Sequence, residues 1–260
     1  MSKNLFFLIP AVLIIAGTGV LAGTIYDTVR SRAEVNSQQD ESGMKSLDFD
    51  GSKPIILPSD NSILLDDTNG VTDLTAAETK DTKKTGNTRS KCTVLPTPDM
   101  YKLRKTNSAI QGWVYIPGTT VNYAILHSPN DTYLYKDYKG NKDWHGSIYT
   151  REGIDRTPLI LYGHNMKDGT MFAGLSRYSS SGYTSKHRYA YIYDGNGWKR
   201  YRFAGYHIYG KKTINNMLRD DRKGFLSRLG AKNDTADENM LFMSTCNRHV
   251  NRFVTLWIRD

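Results

Sequence analysis

The chain has 260 residues, 35 Lys/Arg against 26 Asp/Glu and a formal net charge of +9. That length fits one large domain or two small ones, with the composition of an ordinary globular protein. Two cysteines are too few for a disulfide-built fold, and no nucleic-acid motif accompanies the positive charge, so no nucleic-acid partner is expected.

Residues 1–4 form a short tip before an uncharged apolar run at 5–25 (LFFLIPAVLIIAGTGVLAGTI), about long enough to cross a bilayer as one helix. Ala22-Gly23 offers the small residues of a cleavage site, but the run is long for a signal peptide, so an uncleaved transmembrane anchor is predicted. Lys3 before the run and Arg30 and Arg32 after it do not set its orientation. Residues 26–95 read as a flexible polar linker. Their 31–95 portion has no Trp or Tyr, carries 8 Lys/Arg against 11 Asp/Glu, and shows no steady period of either kind. Short apolar clusters such as Ile55-Ile56-Leu57 and Ile63-Leu64-Leu65 are interrupted by Pro, Gly and Asp. Cys92 lies in this stretch, where no structural role is expected of it.

Residues 96–260 hold all four Trp and a net charge of +11, from 25 Lys/Arg and 14 Asp/Glu. The folded domain is therefore expected there, because a core needs large side chains. Pro98-Asp99 predicts a short helix through Met100, Leu103 and Ile110, ending near Gln111-Gly112. Strand-like runs follow at 113–116, 121–126, 146–150, 159–162, 188–193, 198–209, 240–244 and 253–258. Pro117-Gly118 turns between the first two, and Gly195-Asn196-Gly197 predicts a hairpin. The stretch 214–229 places Ile214, Met217, Leu218, Phe225, Leu226 and Leu229 near one helical face, with Gly224 as a weak point. Many short strands with few helices predict a mainly β fold, a closed or nearly closed barrel.

Three residues stand where such a fold exposes chemistry. Cys246 follows the apolar run Leu241–Thr245 and precedes Asn247-Arg248-His249, so its thiol is expected at a strand's exit close to cations that favour the thiolate. Composition alone does not separate this from a buried core cysteine. His164 follows the strand Leu159–Tyr162 and Gly163, at a strand end where loops build sites. Of the six histidines only His164 and His249 adjoin such a break; His127, His145, His187 and His207 read as structural. No histidine pair has the close spacing of a zinc site, so neither metal nor cofactor is expected. Arg252 opens the last strand and would flank Cys246 if the two strands pair, ready to stabilise an oxyanion. Spacing leaves Arg248 as an equal rival.

Together these motifs resemble the sortases, and class B in particular. Tyr162-Gly163-His164-Asn165-Met166-Lys167-Asp168-Gly169-Thr170-Met171-Phe172 looks like that class's histidine segment, and Ser244-Thr245-Cys246 followed by Arg252-Phe253-Val254 is similar to its cysteine and arginine strands. Gly112–Thr119, Val121-Asn122-Tyr123 and Gly146-Ser147-Ile148-Tyr149 resemble further recurring pieces, so the likeness covers 98–260 and the N-terminal anchor. The resemblance implies an eight-stranded β-barrel over 96–260, with one helix at its start and another before the cysteine strand. It implies a cysteine transpeptidase facing outward from the cell membrane. Its thiolate would cleave a C-terminal sorting signal of a secreted protein after Thr, and the thioacyl-enzyme would pass to an amine of the cell-wall precursor or of a pilin. On this resemblance His164, Cys246 and Arg252 are catalytic, Arg252 is preferred to Arg248, and Ser244 and Thr245 bind substrate. Two departures are visible: Phe242-Met243-Ser244-Thr245-Cys246 stands where the family has TLxTC, and the segment between Cys246 and Arg252 is shorter than usual for class B. No apolar run follows the last predicted strand, so the C-terminal membrane helix of many pilus-building class C enzymes is not expected.

Overall fold

The computed structural model describes residues 29–30, 32–45, 55–56, 93–210, 212–247 and 251–260. Eight strands close into a barrel: β3 (Ile110–Tyr115), β4 (Asn122–His127), β5 (Ile148–Thr150), β6 (Leu159–Tyr162), β7 (Tyr189–Tyr193), β8 (Trp198–Tyr209), β9 (Met240–Asn247) and β10 (Asn251–Arg259). Their order around the barrel is β10-β8-β7-β3-β4-β5-β6-β9. The β4–β5 and β6–β9 pairs are parallel and the rest antiparallel. Two short strands outside the barrel, β1 (Ile55–Ile56) and β2 (Thr93–Val94), pair in parallel.

Alternation along the strands sorts side chains into an interior and two covered outer faces. Val114, Ile125, Leu161, Leu241, Met243 and Trp257 fill the interior. On one outside face Trp113, Ala124 and Leu126 pack with Met44, Leu95 and Leu103, beneath the helix over residues 32–42 (α1) and α2 (Met100–Thr106). On another, Phe242, Val254 and Leu256 meet Ile214, Met217, Phe225 and Leu226 of α4 (Ile214–Arg228). A shorter helix, α3 (Ser181–Lys186), precedes β7.

Most expected elements occur within a few residues of their predicted bounds, with instructive exceptions. Asp99 caps α2 by accepting from the Lys102 N–H, but the helix ends at Thr106, because Ile110 is taken into β3. The last two strands run longer than predicted, so Cys246 lies within β9 rather than at its end. In α4 the backbone breaks at Asp221, whose carboxylate accepts the Gly224 N–H and recaps the second half; a side chain at Gly224 would run into that carboxylate.

The predicted linker 26–95 needs correction over residues 32–45. This stretch is helical and folded onto the barrel. β5 pairs with β4 only over Ile125–His127, and the Ala124 N–H beyond that pairing donates to Gln38 Oε1 at 2.9 Å. Asn122 accepts from Trp113 Nε1 at 2.7 Å and donates to the Met44 carbonyl at 3.2 Å. Tyr138 and Ser42 tie the same segment to the loop after β4 and to Asp99. A helix whose polar residues satisfy buried strand groups carries little hydrophobic periodicity, which is why composition alone reads it as linker. The apolar run 5–25, Cys92 and most of 26–95 lie outside the described residues.

Candidate active site

The site lies where β6, β9 and β10 run side by side. Tyr162 pairs with Ser244 in the parallel β6–β9 ladder, and the Gly163 N–H continues that ladder to the Ser244 carbonyl at 3.2 Å. Ser244 in turn pairs with Val254, and Cys246 with Arg252. His164 stands two residues beyond Tyr162, and Cys246 two beyond Ser244. The register thus sets Arg252 directly opposite Cys246, and His164 leaves β6 at the same end of the sheet, on the chain segment next to β9. Arg248 lies outside the described residues, and only for Arg252 does a strand pairing opposite Cys246 exist to be described.

Gly163 permits this arrangement by close approach: a Cβ there would run into Ile148 and the Phe172 ring. Beyond it the chain turns through Asp168-Gly169, and the Phe172 N–H returns to the His164 carbonyl at 2.9 Å. The His164 ring is fixed from the other side. Its Nε2 lies 2.7 Å from the Leu134 carbonyl, and since a carbonyl only accepts, Nε2 carries the proton and Nδ1 is left for proton exchange. The Tyr135 ring packs against it at 5.4 Å. Burial holds the His164 pKa below the usual imidazole value; the Leu134 bond opposes this, and the charges of His145 and Arg252 add to it.

A groove of about 320 Å³ runs along this end of the sheet, lined by His164, Arg252, Ser244 and Thr245, with Tyr162 and Leu134. Both residues expected to bind substrate therefore line it. Ser244 and Thr245 are buried, and among the described residues Thr245 Oγ1 has no hydrogen-bond partner, although it sits beside Cys246 in sequence. The N-terminal end of α4, with Thr213 as its cap, closes one side.

Sequence reasoning missed one feature of the groove. Asp131 and Arg151 form a two-pronged ion pair at 2.6 and 2.8 Å, with the guanidinium 4.6 Å above the Tyr162 ring. Burial pushes the Asp131 carboxyl up, but the Arg151 guanidinium, helped by the Arg252 charge, outweighs it and holds the group below its ordinary value. Asp131 takes a left-handed backbone (φ 54°), which the turn-forming run Ser128-Pro129-Asn130-Asp131 could have signalled. Of the four histidines read as structural, His127 meets the Arg151 carbonyl and His187 the Pro117 carbonyl, while His207 packs against the Tyr209 ring. His145 lies between Asp143 and Asp168 at 3.1 and 3.2 Å, and so pins the loop that carries His164.

A family model described as the sortase domain matches residues 114–256. The chain is similar to a protein named sortase B from Listeria monocytogenes, 41% identical over 95 residues, which covers 34% of this chain and 38% of that protein. It is similar to sortase B from Staphylococcus aureus, 29% identical over 167 residues, covering 57% of this chain and 68% of that protein. The chain thus spans well under half of the first relative and about two thirds of the second. The X-ray structure of Clostridium perfringens sortase B superposes with a TM-score of 0.53 at 20% identity, over 62% of this chain and 98% of that one, a likeness of fold.

Proposed function

The chain belongs to the sortase family of cysteine transpeptidases, in its class B, and from that premise we propose that it cleaves a sorting signal of a secreted protein after Thr and joins the new carboxyl to an amine. The observation that carries this reading is the pairing of Arg252 opposite Cys246, with His164 and Arg252 lining the same groove just past the end of β6. In the proposed reaction His164 Nδ1 takes the thiol proton and the Cys246 thiolate attacks the Thr carbonyl carbon. The resulting oxyanion is met by the Arg252 guanidinium. The C–N bond breaks as His164 returns the proton to the leaving nitrogen, giving a thioester. An incoming amine attacks the thioester and loses its proton to His164, which protonates the departing thiolate as the new amide forms. A neutral imidazole, favoured by the lowered His164 pKa, is the form both proton-accepting steps need.

Substrate and acceptor classes are supported by relatives of the same fold: one solved structure is a Staphylococcus aureus sortase B–substrate complex, another a sortase B complexed with triglycine. The acceptor here is proposed to be an amine of the cell-wall precursor or of a pilin. We place the domain on the extracytoplasmic face of the cell membrane, with the apolar run 5–25 as its anchor. Among the described residues no helix is long and apolar enough to cross a membrane, and that run lies outside them.

Mass spectrometry of products from a sorting-peptide library, offered with several amines, tests the proposal. Transfer of the Thr-ended fragment to an amine is expected. Hydrolysis alone with every amine would make the protein a cysteine endopeptidase. No cleavage at all would leave a noncatalytic barrel.

A further inference from the structure

Beside the catalytic groove, and sharing the Tyr135 wall with it, lies a second recess of about 420 Å³ lined by Arg30, Tyr135, Lys142, Asp143, Trp144 and His145. Its chemistry differs from that of the groove. Trp144 is 73% exposed and Tyr135 46%, and the two rings pack together at 5.4 Å. The other tryptophans are sequestered: Trp113 and Trp257 are fully buried and Trp198 is 5% exposed. An exposed Trp–Tyr pair flanked by cationic side chains is the combination favoured at the headgroup level of a bilayer, where the rings bury apolar surface, keep their polar tips wet, and the cations meet anionic headgroups.

Chain length puts that surface within reach of a membrane. Arg30 donates to the Lys142 carbonyl at 3.5 Å and lies 3.8 Å from Asp143, so the segment entering the domain is fastened to the recess itself. The apolar run ends at residue 25, five residues before Arg30. Five residues span about 17 Å extended and about 8 Å as helix, against a headgroup layer of about 5–8 Å on each side of the hydrocarbon. If 5–25 spans the bilayer, the recess cannot move far from its surface. Val29, one residue before Arg30, is 63% exposed, and Arg32 is exposed as well. Apolar and cationic groups thus line the same approach.

We propose that Trp144 and Tyr135, with Arg30 and Lys142, form a contact with an anionic lipid surface that holds the mouth of the catalytic groove beside the membrane. The contact rests on the anchor reading given above. Because the Tyr135 ring also packs against His164, the contact sets the orientation of the site relative to the bilayer.

Trp144 reports on this directly, as the one exposed tryptophan of the four. The full chain is reconstituted into phosphatidylcholine–phosphatidylglycerol vesicles, with and without brominated acyl chains, and its Trp emission is compared. The expected result is a shift to shorter wavelength, loss of emission with brominated lipid, and protection from acrylamide. All three should vanish in Trp144→Phe, and the last should weaken in Arg30→Gln/Lys142→Gln. Transpeptidation of a soluble sorting peptide to a soluble amine should be unchanged in Trp144→Phe. A chain that floats with vesicles while Trp144 stays open to acrylamide and blind to bromine would overturn the contact and leave the anchor standing. A chain that does not float would remove the anchor and the contact together. Shielding of Trp144 by a soluble cell-wall fragment without lipid would reassign the recess to an acceptor ligand and likewise overturn the proposal.

Discussion

The barrel is covered on two outer faces, and the coverings differ in kind. Under α1 and α2, Gln38 takes the Ala124 N–H that short β5 leaves unpaired, and the Asn122 side chain joins the buried Trp113 indole to the Met44 carbonyl. Under α4 the covering stops short, and His164 and Arg252 border an open groove in which Thr245 Oγ1 is buried without a partner among the described residues. The first face ties buried groups of β3 and β4 to α1 and Met44, while the groove keeps polar capacity, at Thr245 Oγ1, that a substrate can use.

That contrast can be broken by substitution. The largest effect is expected at the nucleophile: Cys246→Ala should lower both cleavage and transfer on the order of 10³-fold or more by peptide mass spectrometry, while Cys92→Ser leaves them unchanged. If the Cys92 variant is the inactive one, the site assignment fails. Arg252→Gln should lower kcat by roughly 10²–10³-fold, the usual effect of removing an oxyanion donor, with the unfolding midpoint little changed. Arg248→Gln should stay within about tenfold of the parent, well short of that range; the reverse ranking would return the role to Arg248.

On the face under α1 and α2 the effect should appear in stability instead. Asn122→Ala leaves the buried Trp113 N–H and Met44 carbonyl without their partner and should destabilise by about 1–3 kcal/mol in denaturant unfolding. Its kcat should remain near that of the parent; a matching loss of activity would mean that the two faces are coupled.

The smallest expected effect is a titration. Burial, helped by the Arg252 charge, lowers the His164 pKa, so the neutral ring persists to a more acidic pH than that of a free imidazole. The imidazole's ability to accept a proton should be lost as pH falls through this lowered value, with an NMR midpoint below about 6.5. Arg252→Gln removes a like charge and should move the midpoint upward. A midpoint above about 6.5 in the parent, or a downward move in the variant, would contradict the described surroundings of the ring.

The strands were legible because they are runs of large apolar and aromatic residues bounded by turn residues. Leu159–Tyr162 and Trp198–Tyr209 occur at their predicted bounds, and Gly195-Asn196-Gly197 joins β7 to β8 as a hairpin should. The helix over 32–42 was illegible for the opposite reason: Gln38, Gln39 and Ser42 hold it by hydrogen bonds, and hydrogen-bonding residues look alike in a linker and in a docked helix. The Asp131–Arg151 pair joins a turn to the end of β5, and no local pattern announces a contact made across the fold.

By itself, then, the sequence determined the residue types of the candidate site and the strands that carry them, because local periodicity and motif order are properties of the chain. Tertiary structure decided which residues share a site. Register is a relation between strands distant in sequence, and only the pairing of β9 with β10 and of β6 with β9 sets Arg252 opposite Cys246 and brings His164 to the same groove.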